Sequence, residues 1–188
     1  MFLIADIGIN HNGSLDSVFK LIDLAKENDF NVVKFQKRTP RLCVPKDKWE
    51  NEKISCFGAT TYIEYKEIIE FNKLQYDAID KYCKLKNISW TASVWDIPSL
   101  NFLIQYDIPF IKIPGEKLSD DELIKACIST NIPIIMSLGM NSIKDIKHAL
   151  SFFPTGYNLK LLHCNNLYPC PLERNYLSMI PYFQILFP

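Results

Sequence analysis

The chain has 188 residues, 48% of them hydrophobic and 22% charged, enough apolar material for one sizeable buried core. Lysine plus arginine and aspartate plus glutamate both number 21, so no net field draws it to nucleic acid or to an anionic membrane surface. No apolar run approaches the roughly 20 residues needed to cross a bilayer. The N-terminus reads as a strand and not as a signal peptide, because Asp6 follows within a few residues and there is neither a cationic leader nor a small-residue cleavage site. Six cysteines without any C-x-x-C pair suit reduced thiols, so the expected compartment is the cytoplasm.

In chain order, strand and helix signals alternate. A strand at Phe2 to Ile7 leads through Gly8-Ile9-Asn10-His11-Asn12-Gly13 to Ser14, a good N-cap for a helix over 15–27 with Val18, Leu21, Ile22 and Ala25 on one face. A second strand, Val32 to Lys34, opens into a long polar loop from Lys37 to Lys53, read as a solvated lid over the substrate with no partner of its own. Helical periodicity follows over 61–86, broken near Phe71-Asn72-Lys73, and Tyr62, Tyr65, Phe71 and Tyr76 are expected to pack it against a sheet. Further strands are expected at 89–94, 110–113, 133–137 and 159–164, and further helices at 97–106, 120–129, 142–152 and, as the end of a sixth, 179–188. Repeated βα units imply a parallel sheet.

Five of the apolar runs end abruptly in polar residues: Gly8 to Gly13, Lys34-Phe35-Gln36, Lys112, Ser137-Leu138-Gly139-Met140 and His163-Cys164-Asn165-Asn166. In a parallel barrel all strands end on one face, where such residues converge on a pocket. An open dinucleotide-binding sheet is the weaker reading, because Gly8 to Gly13 lacks the middle glycine of G-x-G-x-x-G. The expected fold is α/β, of the (β/α)8 TIM-barrel type, incomplete at about six βα units. A six-stranded piece leaves two strand edges unpaired, so the chain alone is expected to be neither a stable monomer nor an active enzyme.

The ordered set Asp6-Ile7-Gly8-Ile9-Asn10-His11-Asn12-Gly13, Val33-Lys34-Phe35-Gln36-Lys37-Arg38-Thr39-Pro40, Thr61 to Lys66, Ser93-Val94-Trp95-Asp96, Ser137 to Ser142 and Leu161 to Pro169 resembles the N-acetylneuraminate (sialic acid) synthase family. The resemblance implies a barrel followed by a small antifreeze-like domain, which is expected to be absent from this chain, and condensation of phosphoenolpyruvate with an N-acylated hexosamine to a nonulosonic acid. It also implies a homodimer for the intact protein. By that resemblance Lys34, Ser93, Lys112 and Ser137 bind phosphoenolpyruvate, Asp6 is the catalytic carboxylate, often Glu in the family, and Gln36, Asn166 and Tyr168 orient the sugar. The residue types suit the task, since ammonium and hydroxyl donors satisfy phosphate oxygens and buried amides discriminate hydroxyl stereochemistry.

Two departures stand out. The family often has a phosphate-binding serine where this chain has Gly115, with Glu116 and Lys117 following. The family's divalent metal, Mn2+ or Mg2+, is held by histidines on the last two barrel strands, expected beyond Pro188, so no metal ligand is assigned here. A site of Asp6, His11 and His163 is the less favoured alternative to hydrogen-bonded structural histidines. His148 is expected to be solvated and Cys164 to be a buried thiol and not a nucleophile. Two other functions stay open: a Schiff-base aldolase using Lys112, and a non-catalytic remnant or binding module.

Overall fold

In a computed structural model of the protein, residues 1–167 and 169–187 are described, and the chain divides after Ile111 into two units. The first is organised by three parallel strands in the order β1 (Ile4–Gly8), β2 (Val32–Lys37) and β5 (Ser89–Val94). The register pairs Asp6 with Lys34, Lys34 with Thr91 and Gln36 with Ser93, so alternate residues place these polar side chains on one face. Val33, Phe35, Trp90, Ala92 and Val94 take the other face, at most 3% exposed. That apolar face is covered by α1 (Leu15–Glu27) and α4 (Lys73–Lys86). Val18, Ile22 and Ala25 recur at helical spacing on α1, and Tyr76, Ile79 and Cys83 on α4. Tyr76 stacks on Trp90 and meets Phe35 edge-on, which locks α4 to the sheet.

The helix starts are where the sequence pattern puts them. Ser14 accepts from the Ser17 N–H, and Asn72 and Gln75 form a reciprocal capping box that starts α4 after the break at Phe71. Asn87 closes α4 in the left-handed region at φ +50°, where asparagine is tolerated. The helix α5 (Ile97–Leu103) is capped by Asp96 and stops three residues before the expected Tyr106, whose ring packs on Trp90.

The segment read as an open polar loop is structured. It holds a short helix, α2 (Pro40–Cys43), and an antiparallel hairpin of β3 (Glu52–Ser55) and β4 (Gly58–Thr61), leading to α3 (Tyr62–Ile68). The hairpin turns at Gly58, φ +85°, and Thr61 caps α3 in a capping box with Glu64. Its alternation is inverted, with Ile54 76% exposed and Lys53 turned inward, so hydrophobic patterning could not signal a strand there.

The second unit starts within β6 (Ile111–Ile113) and contains α6 (Asp121–Ser129), β7 (Ile134–Ser137), α7 (Ile143–Leu150), β8 (Leu159–Leu162) and α8 (Met179–Leu186). Its strands run in the order β6-β7-β8, with β7 and β8 parallel from Ile134 opposite Leu159 to Ser137 opposite Leu162. Asp120 caps α6, and Ser142 with Asp145 forms the capping box of α7. Leu118, Leu123, Ile124, Cys127, Ile134, Met136, Ile146 and Ala149 are at most 1% exposed and make its core. A groove of about 650 Å³ lies beside β8 and α8, lined by Leu159, Leu161, Ile180 and Phe183 among others. Among the described residues no helix is long and apolar enough to cross a membrane.

Candidate active site

The first polar cluster is made by the ends of β1, β2 and β5. The Lys34 side chain is 10% exposed, and its Nζ donates to Asp6 Oδ1 at 2.8 Å and to Ser93 Oγ at 3.3 Å. The chain leaves β1 through a register irregularity between Asp6 and Gly8, and Gly8 has φ +55°. A Cβ at Gly8 would lie 3.6 Å from Asp6 Oδ1 and 3.8 Å from Gln36 Nε2, so both side chains reach the same turn. Asp6, Lys34, Gln36 and Ser93 are thus brought together, with Asp6 the most exposed of them. A buried ammonium already held by a carboxylate and a hydroxyl is oriented before any anion arrives.

His11 belongs to the scaffold of this cluster. It is 4% exposed, stacks on Phe71 with ring centroids 4.2 Å apart, and its Nδ1 accepts from the Gly13 N–H at 3.0 Å. Burial pushes the imidazole down to about 4, against a smaller opposing effect of a hydrogen bond with the Gly8 backbone. A neutral ring with its Nδ1 lone pair committed to a backbone N–H pins the loop after β1 and offers no ligand there.

The second cluster lies at the ends of β6, β7 and β8. Lys112 is 6% exposed, and its Nζ donates to Ser137 Oγ at 2.6 Å and to the Ile113 carbonyl at 2.9 Å. Ser137 Oγ in turn lies 3.2 Å from Cys164 Sγ, so that thiol is a half-buried neighbour of the hydroxyl. Asn141 Nδ2 ties the following loops together by donating to the carbonyls of Gly115 and Gly139, at 2.9 and 2.7 Å. Asn166 is exposed, with its side-chain oxygen directly against Gly139. Tyr168 lies outside the described residues.

Gly115 is explained by this packing. A Cβ there would meet the Gly139 carbonyl oxygen at 2.5 Å, so the serine that the resemblance leads one to expect here would require the Gly139 backbone to move. The absence of a side chain at Gly115 is what allows the two backbones to pack this closely.

Among the described residues no group of three or more His, Cys, Asp and Glu side chains could hold a metal ion. His163 Nε2 is paired with the Asn175 carbonyl at 2.8 Å, and exposed His148 with Asp121 at 3.0 Å. The described residues therefore do not fit the divalent metal implied by the resemblance.

Residues 21–188 match the NeuB family over most of the chain. The chain belongs to the NeuB family. It is 32% identical over its whole length to the N-acetylneuraminate-9-phosphate synthase of Drosophila melanogaster, covering 51% of that protein. Over 92% of its length it is 28% identical to the N,N'-diacetyllegionaminic acid synthase of Legionella pneumophila, again covering 51%. The crystal structure of an N-acetylneuraminic acid synthetase from Leptospira borgpetersenii, in complex with citrate, superposes with a TM-score of 0.88 at 26% identity, covering all of this chain and 62% of that one. The chain thus spans about half the length of the curated relatives it matches. Its fold is α/β of the TIM-barrel type, as the NeuB motifs imply.

Sequence reasoning missed one feature of this NeuB chain. Arg38, read as part of a solvated lid, and Lys66, placed within the 61–86 helical run, are each only 8% exposed. The Arg38 guanidinium lies 4.8 Å from the Trp95 ring centroid, and Lys66 Nζ sits over the rings of Tyr62 and Tyr65. Two signals were available: Arg38 extends the Lys34, Gln36 alternation, and Tyr62 precedes Lys66 by one helical turn. Tyr62 and Tyr65 are consequently half-buried partners of cations, while Phe71 and Tyr76 are the buried pair.

Proposed function

We propose that this chain carries part of the machinery of a synthase that joins phosphoenolpyruvate to the aldehyde of an open-chain N-acylated hexosamine, giving a sialic acid-type nonulosonic acid and phosphate. The observation that supports this reading is the recurrence, in each unit, of a buried strand-end lysine donating to a serine hydroxyl: Lys34 to Ser93 and Lys112 to Ser137. Ammonium and hydroxyl donors held in a partly dry environment suit phosphate and carboxylate oxygens, and are oriented without cost at the moment of binding.

In this reading Lys34, Ser93, Lys112 and Ser137 bind phosphoenolpyruvate. Carbon 3 of the enol attacks the sugar aldehyde, water adds at carbon 2, and the tetrahedral intermediate expels phosphate. Asp6 takes a proton or holds a sugar hydroxyl, and its hydrogen bond with Lys34 orients it for that role. Gln36, beside Asp6 at the Gly8 turn, together with Asn166 and Tyr168, orients the sugar. No step is assigned to a divalent metal. A cytoplasmic homodimer is part of the same reading of the intact protein.

Calorimetric titration of the chain with phosphoenolpyruvate, and borohydride trapping with pyruvate, test it. Phosphoenolpyruvate should bind, and pyruvate should leave no reduced adduct, because Lys112 Nζ is engaged by the Ser137 hydroxyl and the Ile113 carbonyl as an anion-binding donor. A trapped adduct on Lys112 would replace the synthase by a Schiff-base aldolase. Folded protein that does not bind phosphoenolpyruvate would refute the proposal.

A further inference from the structure

In the second unit the hydroxyl of Ser137 sits between two potential donors. Ser137 is 7% exposed and accepts from Lys112 Nζ at 2.6 Å, while Cys164 Sγ lies 3.2 Å from the same Oγ. A serine hydroxyl has one proton to give and two lone pairs to fill. Lys112 fills one pair. The proton and the second pair remain, to be divided between the thiol and whatever binds at the cluster.

Register and packing both place that thiol. Ser137 stands opposite Leu162, and the Leu138 N–H donates to the Leu162 carbonyl at 3.0 Å, so β7 and β8 are still joined where the cluster begins. Cys164 follows β8 by two residues, and the alternation of extended chain returns its side chain to the face that Ser137 occupies. Gly139 provides the room: a Cβ there would meet the Cys164 carbonyl oxygen at 2.8 Å and Cys164 Cβ at 3.2 Å. That close approach holds Cys164 beside the end of β7.

We propose that Cys164 is a positioning residue for anion binding: its S–H donates to Ser137 Oγ and thereby directs the Ser137 O–H at a phosphate or carboxylate oxygen of the ligand. This rests on the synthase reading above, in which Ser137 binds phosphoenolpyruvate, and adds to it the group that sets the direction of the hydroxyl. An anionic oxygen can only accept, so the hydroxyl turns its proton towards it when the ligand arrives. The second lone pair then faces Cys164, and a thiol can donate to it where an aliphatic side chain could not. Two donors into one oxygen polarise its O–H and strengthen the bond that O–H makes. Without a ligand the hydroxyl is able to donate to the sulfur, so the bond between the two side chains reverses its direction on binding.

The full chain and its Cys164→Ala and Cys164→Ser variants are titrated with phosphoenolpyruvate and with inorganic phosphate, and the S–H stretching band is recorded by infrared spectroscopy with and without phosphoenolpyruvate. Cys164→Ala should weaken phosphoenolpyruvate binding about three- to tenfold, the worth of one uncharged hydrogen bond, and Cys164→Ser, which restores a donor, should return it to within about twofold of wild type. The band missing from both variants should move to lower frequency when phosphoenolpyruvate binds, a reversal that a thiol serving only to fill space would not show. Thermal unfolding confirms that each variant is folded. Unchanged affinity in Cys164→Ala, a serine variant as weak as the alanine one, or a band that stays in place would each overturn the proposal. If phosphoenolpyruvate fails to bind while inorganic phosphate binds and is weakened only in Cys164→Ala, the synthase reading falls and Cys164 keeps its role. If the folded wild type binds neither anion, both fall.

Discussion

Replacing Lys34 by Met separates binding from folding, because the two depend on different neighbours of one side chain. Met keeps most of the buried aliphatic volume, so packing changes little. The ion pair lost has Asp6 59% exposed as its partner, and the freed carboxylate is taken up by water. Such a pair contributes under about 1 kcal/mol to stability. The ligand loses much more: a hydrogen bond from a charged donor in a shielded site is worth about 1.5–3 kcal/mol, or about 10- to 150-fold in the phosphoenolpyruvate dissociation constant. Calorimetric titration of wild type and Lys34→Met, with urea unfolding of both, gives the two quantities. A folded variant with unchanged affinity refutes the assignment of Lys34 to phosphoenolpyruvate. A variant that loses several kcal/mol of stability refutes the claim that the lysine is held for binding.

Lys37→Met should behave in the opposite way: its partner Glu70 is only 13% exposed, so the substitution strands a buried carboxylate and should cost about 3 kcal/mol in urea unfolding, with Glu70→Gln restoring much of it. Burial already raises the Glu70 carboxyl above its ordinary range, so that loss should shrink as pH falls and the group takes up a proton. Gly115→Ser should destabilise by about 1–3 kcal/mol, since the new Cβ meets a backbone oxygen that cannot rotate away, and an unchanged unfolding midpoint would show that the Gly139 turn yields freely. His11 binds its proton more weakly folded, at about 4, than unfolded, at 6.5. Its contribution to stability is therefore full above pH 6.5 and is lost as pH falls towards 4, with a slope of at most about 1.4 kcal/mol per pH unit, which His11→Asn should remove from the pH profile of unfolding.

The sequence by itself determined the order and type of the βα units, since these are written in short-range terms. Apolar runs of strand length, Ser14, Asn72, Asp120 and Ser142 at helix starts, and Val18, Ile22 and Ala25 at helical spacing need no distant partner to be recognised. The strand-end lysines were legible for the same reason, each following a buried run directly. Pairing decided the rest. That Lys34 meets both Asp6 and Ser93 follows from the register of three strands far apart in the chain, and that Gly115 admits no side chain follows from the carbonyl of Gly139, 24 residues on. The hairpin at Glu52–Thr61 was hidden because it turns Ile54 outward and Lys53 inward, against the usual pattern. Composition gives equal numbers of acidic and basic residues, and only the fold decides where each one falls: Arg38 just past β2, Lys53 from the hairpin and Lys66 from α3 lie over aromatic rings, while Glu70 is paired to Lys37. Charge balance is a property of the chain, whereas the local surroundings of each charge are a property of its packing, because the electrostatic cost depends on distance and burial and not on count.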